Sequence, residues 1–201
     1  MLAVAVFCCA LPLPAQAEQA HGLAIELVKP GREGLELSAR LTPDGGELQH
    51  ISWNIRSPDG VTVYSGDEGT ADVSLPPGDY VVDATYGATV LTELVSIPAA
   101  TRLRVSFVLD AGGLKVEPLV SGIAVPPVAS RVRVFSMDGK RLMAVSVKPG
   151  EIIRLPEGTY RVESQVSTGN VKAVADVHVT AGRVATVKIA HKAGLARLAF
   201  V

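Results

Sequence analysis

Leu75-Pro76-Pro77-Gly78-Asp79-Tyr80-Val81-Val82-Asp83 recurs eighty residues later as Leu155-Pro156-Glu157-Gly158-Thr159-Tyr160-Arg161-Val162-Glu163. Three further blocks repeat in the same order. Ile55-Arg56-Ser57-Pro58-Asp59-Gly60 returns as Val134-Phe135-Ser136-Met137-Asp138-Gly139, and Val95-Ser96-Ile97-Pro98-Ala99 as Val177-His178-Val179-Thr180-Ala181. Gly34-Leu35-Glu36-Leu37 opens the first copy, and Gly113-Leu114-Lys115-Val116 opens the second. The offsets drift by a residue or two, which places small insertions in turns. A chain written this way folds as two copies of one unit. A shorter echo, Gly194-Leu195-Ala196-Arg197-Leu198, reads as one more opening strand, paired within the chain.

Inside each unit the hydrophobic period is two. Ile51, Trp53 and Ile55 alternate with Ser52, Asn54 and Arg56, while Val132 and Val134 alternate with Arg131 and Arg133. Such alternation puts apolar side chains on the core face of a half-buried strand. In the last strand the series Val184, Val187 and Ile189 implies a one-residue slip. The chain holds 29 Val, a β-branched residue that favours strands. Turn signals such as Pro58-Asp59-Gly60 and Met137-Asp138-Gly139 separate the runs. No run of ten residues has helical spacing. The expected fold is all-β: two tandem antiparallel immunoglobulin-like or transthyretin-like β-sandwiches after a signal peptide. The first domain is expected over 18–111, with a leading strand at 22–30. The second is expected over 112–201, with an extra terminal strand at 194–201. Gly112-Gly113 reads as the short linker between them.

The repeated corner has a mechanical reading. Pro76 and Pro156 fix φ and end a strand, Gly78 and Gly158 supply a tight turn, and Tyr80 and Tyr160 open the next strand. A tyrosine there packs its ring into the core and turns its hydroxyl to the corner backbone, as a tyrosine corner does. These six residues are the structural turn motif and the site residues the sequence singles out. Leu-Pro-x-Gly-x-Tyr-x-Val, followed by a hairpin and a Val-rich exit strand, resembles two related groups of bacterial envelope modules. They are the carboxypeptidase-regulatory-like (transthyretin-like) domains and the PEGA-type repeats named for a Pro-Glu-Gly-Ala signature. The second copy here reads Pro156-Glu157-Gly158-Thr159 and the first Pro76-Pro77-Gly78-Asp79. The resemblance implies non-catalytic accessory modules, and it carries over no catalytic residue.

Residues 2–14 form an uncharged apolar run, followed by the small-x-small pattern Ala15-Gln16-Ala17. The run suits a signal peptide cleaved after Ala17 and falls short of the roughly 20 residues that span a bilayer. No Lys or Arg precedes it, so either the true start lies further upstream or the signal is atypical; an uncleaved anchor is the alternative to cleavage. Export to the periplasm or cell envelope is the expected address. Both cysteines, Cys8 and Cys9, lie inside this run. Acylation of one of them is a further alternative, disfavoured by the bulky Val6-Phe7 before it. The chain after Ala17 therefore has no disulfide, thiol nucleophile or Cys-ligated metal, and must be held by its core.

The remaining residues point away from catalysis. His21, His50, His178 and His191 show no metal-binding spacing with one another, and no nucleophile elbow or phosphate-cradling loop occurs. Asp67, Glu68 and Asp72 read as a solvated acidic turn, with Ca²⁺ as the less favoured alternative. No catalytic, cofactor-binding or metal residue is expected. A formal charge of −1 argues against nucleic acid as a partner, and any membrane contact is expected through the signal segment only. That near-zero total conceals a split. Residues 18–111 carry 6 Lys plus Arg against 14 Asp plus Glu, a net of −8, whereas residues 112–201 carry 13 against 6, a net of +7. The expectation is a binding or scaffolding module with a protein partner in the envelope and weak charge-driven self-association. A carbohydrate- or peptidoglycan-binding module is the second reading and a hydrolase the third. Aromatics at 4% leave few rings for sugar stacking.

Overall fold

The computed structural model describes residues 22–120, 123–124, 130–146, 148, 150–166 and 171–192. The expected signal segment and the expected strand at 194–201 lie outside them. Among the described residues the chain forms sixteen β-strands and no helix.

The first eight strands make two four-stranded sheets. One has the order β1(Gly22–Leu27)-β8(Thr101–Val108)-β2(Gly34–Arg40)-β5(Thr70–Ser74). The other has the order β4(Thr62–Glu68)-β3(Ile51–Arg56)-β6(Gly78–Tyr86)-β7(Thr89–Ile97). The second half repeats this plan. β9(Ala111–Val120) is flanked on one edge by β16(Val184–His191) and on the other by β13(Ile152–Pro156) and the short β10(Ile123–Ala124). The facing sheet has the order β12(Leu142–Ser146)-β11(Ser130–Ser136)-β14(Gly158–Val166)-β15(Val171–Val179). No strand pair among the described residues joins β1–β8 to β9–β16.

Pairing is antiparallel throughout except for β2 with β8 and β9 with β16. β8 thus returns alongside β2, and β16 alongside β9, the equivalent strand of the second unit. The register aligns the two copies residue by residue: Gly34 opposes Arg102, and Gly113 opposes Val184.

Alternation places the cores. Leu35, Leu37, Leu103, Val105 and Phe107 of one sheet close on Ile51, Trp53, Ile55, Val82 and Val95 of the other. In the second unit Leu114, Val116, Leu155 and Ile189 close on Val132, Val134, Val162 and Val179. Burial of apolar area at about 25 cal/mol per Å² is what drives such closure. Trp53 is 1% exposed, and its indole N–H donates to the Glu68 carbonyl at 3.0 Å.

Three details differ from the sequence reading. β1 ends at Leu27 instead of residue 30, because Arg32 N–H closes a turn on the Lys29 carbonyl. β16 has no slip: it pairs continuously with β9, with Ala185, Val187, Ile189 and His191 on the inner phase and Val184 exposed. Gly112 and Gly113 are not a linker. Both lie inside β9, where a Cβ on Gly113 would stand 2.8 Å from Ile152 Cγ2 and one on Gly112 would meet Val179 Cγ1 at 2.8 Å. The true connector is Leu109-Asp110.

Candidate functional site

The corner crosses from one sheet to the other in each unit, from β5 to β6 and from β13 to β14. Leu75 and Leu155 are its buried hydrophobic pegs. Gly78 and Gly158 follow with φ of 155° and 156°, a region open to glycine and closed to residues with a Cβ. Tyr80 and Tyr160 are buried, and their hydroxyls donate to the carbonyls of Pro76 at 3.0 Å and Pro156 at 2.7 Å. Burial pushes the Tyr160 phenol above its ordinary pKa, against a smaller opposing effect of Arg141. The structure thus brings each Pro-Gly-Tyr set together as a closed loop with no exposed reactive group.

A second fixed point is the junction between the units. Leu109 N–H donates to the Arg40 carbonyl at 3.0 Å, Glu157 N–H to Asp110 at 2.7 Å and Gly182 N–H to Ala111 at 2.9 Å. The β6–β7 hairpin reaches across: Ala88 N–H donates to the Arg154 carbonyl at 3.0 Å, and the Arg154 guanidinium lies 4.7 Å from the centre of the Tyr86 ring. A cavity of about 360 Å³ opens beside this hairpin, bounded by Ala88, Met143, Val145, Glu151 and Ile153. Side-chain chemistry there is sparse, with Glu151 engaged by the Ser146 hydroxyl at 2.8 Å.

The charge split becomes concrete on the outward faces of the two equivalent sheets β4-β3-β6-β7 and β12-β11-β14-β15. On the first, Asp83 accepts from Asn54 at 3.2 Å, Thr92 at 2.7 Å and Arg56 at 2.9 Å, with Asp67 and Asp79 nearby on the same face. Burial pushes the Asp83 carboxyl up, but the hydrogen bonds from Thr92, Asn54 and Arg56 outweigh it and hold the group below the ordinary carboxylate range. On the second face Arg133 pairs with Glu163 at 3.0 Å and Arg161 clasps Asp176 through two bonds of 2.9 and 3.0 Å. Arg131 and Lys172 stand exposed beside them. By register, Ser52 and Asn54 have become Arg131 and Arg133, and Val81 and Val90 have become Arg161 and Lys172. Glu36 on β2 has likewise become Lys115 on β9, and Glu68 corresponds to Lys148.

The acidic cluster named from the sequence does not assemble. Asp67 lies on the β4 sheet, whereas Asp72 lies on β5 of the facing sheet and pairs with Arg102. Among the described residues no group of three His, Cys, Asp or Glu side chains is placed to hold a metal. His178 is exposed and meets the Thr159 hydroxyl at 3.1 Å. His191 is buried, with Nε2 3.0 Å from the Ser164 carbonyl and Nδ1 3.3 Å from the Leu119 carbonyl, so it ties β16 to both sheets. The inner phase set by Ile189 was the signal for it. Glu33 also went unread: its carboxylate accepts from Gly31 N–H at 2.7 Å and Ala100 N–H at 3.0 Å, clamping the turn between β7 and β8. In the second unit Glu157 performs this service, accepting from Ala181 N–H at 3.0 Å.

No family model and no curated protein sequence matches the chain. Among solved structures it is similar to the minor pilin GBS52 of Streptococcus agalactiae, with 11% identity, TM-score 0.41, and coverage of 84% of this chain and 99% of that one. It is similar to the shaft pilin SpaA of Lactobacillus rhamnosus GG at 10% identity and TM-score 0.40, covering 82% of this chain and 99% of that one. The Bacillus anthracis TIE protein follows at 13% identity and TM-score 0.36, covering 80% of this chain and 34% of that one. The paired sheets described above establish the β-sandwich class independently of these likenesses.

Proposed function

We propose that this chain is a non-catalytic, exported tandem β-sandwich protein that works in the cell envelope as a protein-binding or scaffolding module. One observation carries the reading: at equivalent positions on one repeated scaffold, the exposed sheet face is acidic in the first unit and cationic in the second. The corner that holds the scaffold is kept in both units, while the surface chemistry has been rewritten. Opposed surface fields steer encounter and fix orientation between proteins. The resemblance to carboxypeptidase-regulatory-like and PEGA-type modules belongs to the same proposal, as does processing after Ala17.

The test is photo-crosslinking in intact cells from positions Ser52 and Arg131, one on each face, combined with fractionation and N-terminal sequencing. Protein adducts from either face, on an envelope-located chain starting at Glu18, are expected. Adducts to peptidoglycan alone would replace this reading with the carbohydrate-binding one. A cytoplasmic, unprocessed chain would overturn it.

A further inference from the structure

We propose that the partner of one sheet face is the other sheet face on a second copy of this chain. The outward face of β12-β11-β14-β15 docks on the outward face of β4-β3-β6-β7 of the next molecule. This rests on the scaffolding reading and names its partner.

Charge is the first argument. Arg131 and Lys172 are exposed and make no ion pair among the described residues, because the neighbouring carboxylates Glu163 and Asp176 are taken by Arg133 and Arg161. On the other face the guanidinium of Arg56 is held by Asp83, which leaves Asp67 and Asp79 without an ion pair among the described residues, Asp79 accepting only a hydrogen bond from the Ser96 hydroxyl. Each face thus carries two uncompensated charges of one sign, and the signs are opposite.

Exposed apolar side chains are the second argument. Val90 is 59% and Leu94 70% exposed on the acidic face; Leu142 is 50%, Val145 51% and Val174 57% exposed on the cationic one. Apolar contact beside charged residues is the composition of a transient interface. With strands about 4.8 Å apart and a rise of about 3.3 Å per residue, two such faces bury on the order of 1,000 Å² in all. Stable complexes bury about 1,200 Å² or more, so the contact is a weak one. The two surfaces differ, so every bound pair still offers one free face of each kind. A heterologous contact of that type grows into open chains or rings instead of stopping at a dimer.

The experiment is sedimentation velocity on the purified protein over a concentration series, at low salt and at about 0.5 M salt, where screening acts within a few ångströms. The wild type is expected to show weight-average mass rising with concentration at low salt and falling back to monomer at high salt. R131E/K172E makes both faces acidic, and D67K/D79K makes both basic. These side chains are outside the core, so circular dichroism should show both variants folded. Each variant alone should lose association by about tenfold or more, and an equimolar mixture should recover it. A wild type that stays monomeric at every salt concentration overturns the proposal. So does undiminished association of either variant, or a mixture that fails to recover. Protein adducts from Ser52 or Arg131 on some other envelope protein would in that case leave the scaffolding reading standing.

Discussion

In the first unit Trp53 meets Phe107 edge to face, with ring centres 5.5 Å apart. The same two positions in the second unit hold Val132 and Ile189, and the centre is filled by smaller aliphatics with a buried His191 at its far end. The corner, by contrast, is the same in both, down to the tyrosine hydroxyl on a proline carbonyl. Core volume can drift because neighbouring side chains repack and compensate. A corner that depends on one positive-φ residue and one hydroxyl reaching a fixed carbonyl has no neighbour able to substitute. The duplication therefore survives in the turns and has faded in the core.

The largest effects should fall on the two cores. Phe107→Ala should cost about 3–5 kcal/mol and Ile189→Ala about 2–5 kcal/mol. Trp53 is the chain's single tryptophan, so its fluorescence in urea reports the first unit directly. Phe107→Ala should shift that transition strongly. Ile189→Ala should instead shift the transition seen by circular dichroism, and move fluorescence only so far as the junction couples the units. Tyr80→Ala and Tyr160→Ala should each cost about 3–5 kcal/mol, alike in both units despite their different cores. Unequal costs would break the claim that the corner is one device used twice.

The junction comes next. Gly87 has φ 64°, and a Cβ there would stand 2.6 Å from Arg154 Cβ. Gly87→Ala should cost about 1–3 kcal/mol, through backbone strain and lost contact. It should also free the units from each other. Small-angle scattering should then need a broader spread of interunit angles than the wild type does. A narrow distribution in both would show that Leu109-Asp110 alone fixes the orientation.

Much of this architecture was readable before the fold. Period-two alternation marked Trp53, Val132 and Val134 as inward, and the offset blocks aligned the strands that the register later matched. What escaped had physical reasons. Gly112-Gly113 looked like a linker because glycine pairs usually mark flexible turns, yet here they let β13, β16 and the β15–β16 turn approach the β9 backbone. Val184 suggested a slip because valine is so often buried, while the outward phase at a strand start tolerates it at 54% exposure. The charge split was countable from the sequence. Only the register placed its unpaired members on equivalent faces.

A smaller effect tests the corner hydroxyls alone. Tyr80→Phe and Tyr160→Phe keep the ring and remove one hydrogen bond to Pro76 or Pro156, so each should cost about 0.5–1.5 kcal/mol by urea unfolding. The two costs should match, since each hydroxyl donates to the proline carbonyl four residues before it.

Acid should separate the units last and least. Glu33 has no counterpart at its own position in the second unit, where Gly112 stands and the equivalent turn is clamped from the corner by Glu157. Hydrogen bonds from its own N–H and from Ala100, with lesser ones from Gly31 and Arg32, hold its carboxyl below the ordinary range against the opposing effect of burial. Asp83 is also lowered in the first unit, while in the second Asp176 is lowered by the Arg161 hydrogen bond at a more exposed site. A carboxylate whose folded pKa is depressed adds stability that is complete above its unfolded value, about 4.3 for Glu and 3.9 for Asp. That stability is lost as pH falls through the folded pKa. These carboxylates should therefore add no pH dependence between neutrality and about pH 5, and below about pH 4 the first unit should weaken ahead of the second. Glu33→Gln keeps an acceptor oxygen for Ala100 but cannot titrate. In that variant the urea midpoint followed by Trp53 fluorescence should fall less steeply with acid than in the wild type. The second unit's transition should keep its wild-type slope. If the Trp53 transition kept its full acid dependence in the variant, the clamp on the β7–β8 turn would not be the source of the first unit's acid sensitivity, and Asp83 would be the next residue to neutralise.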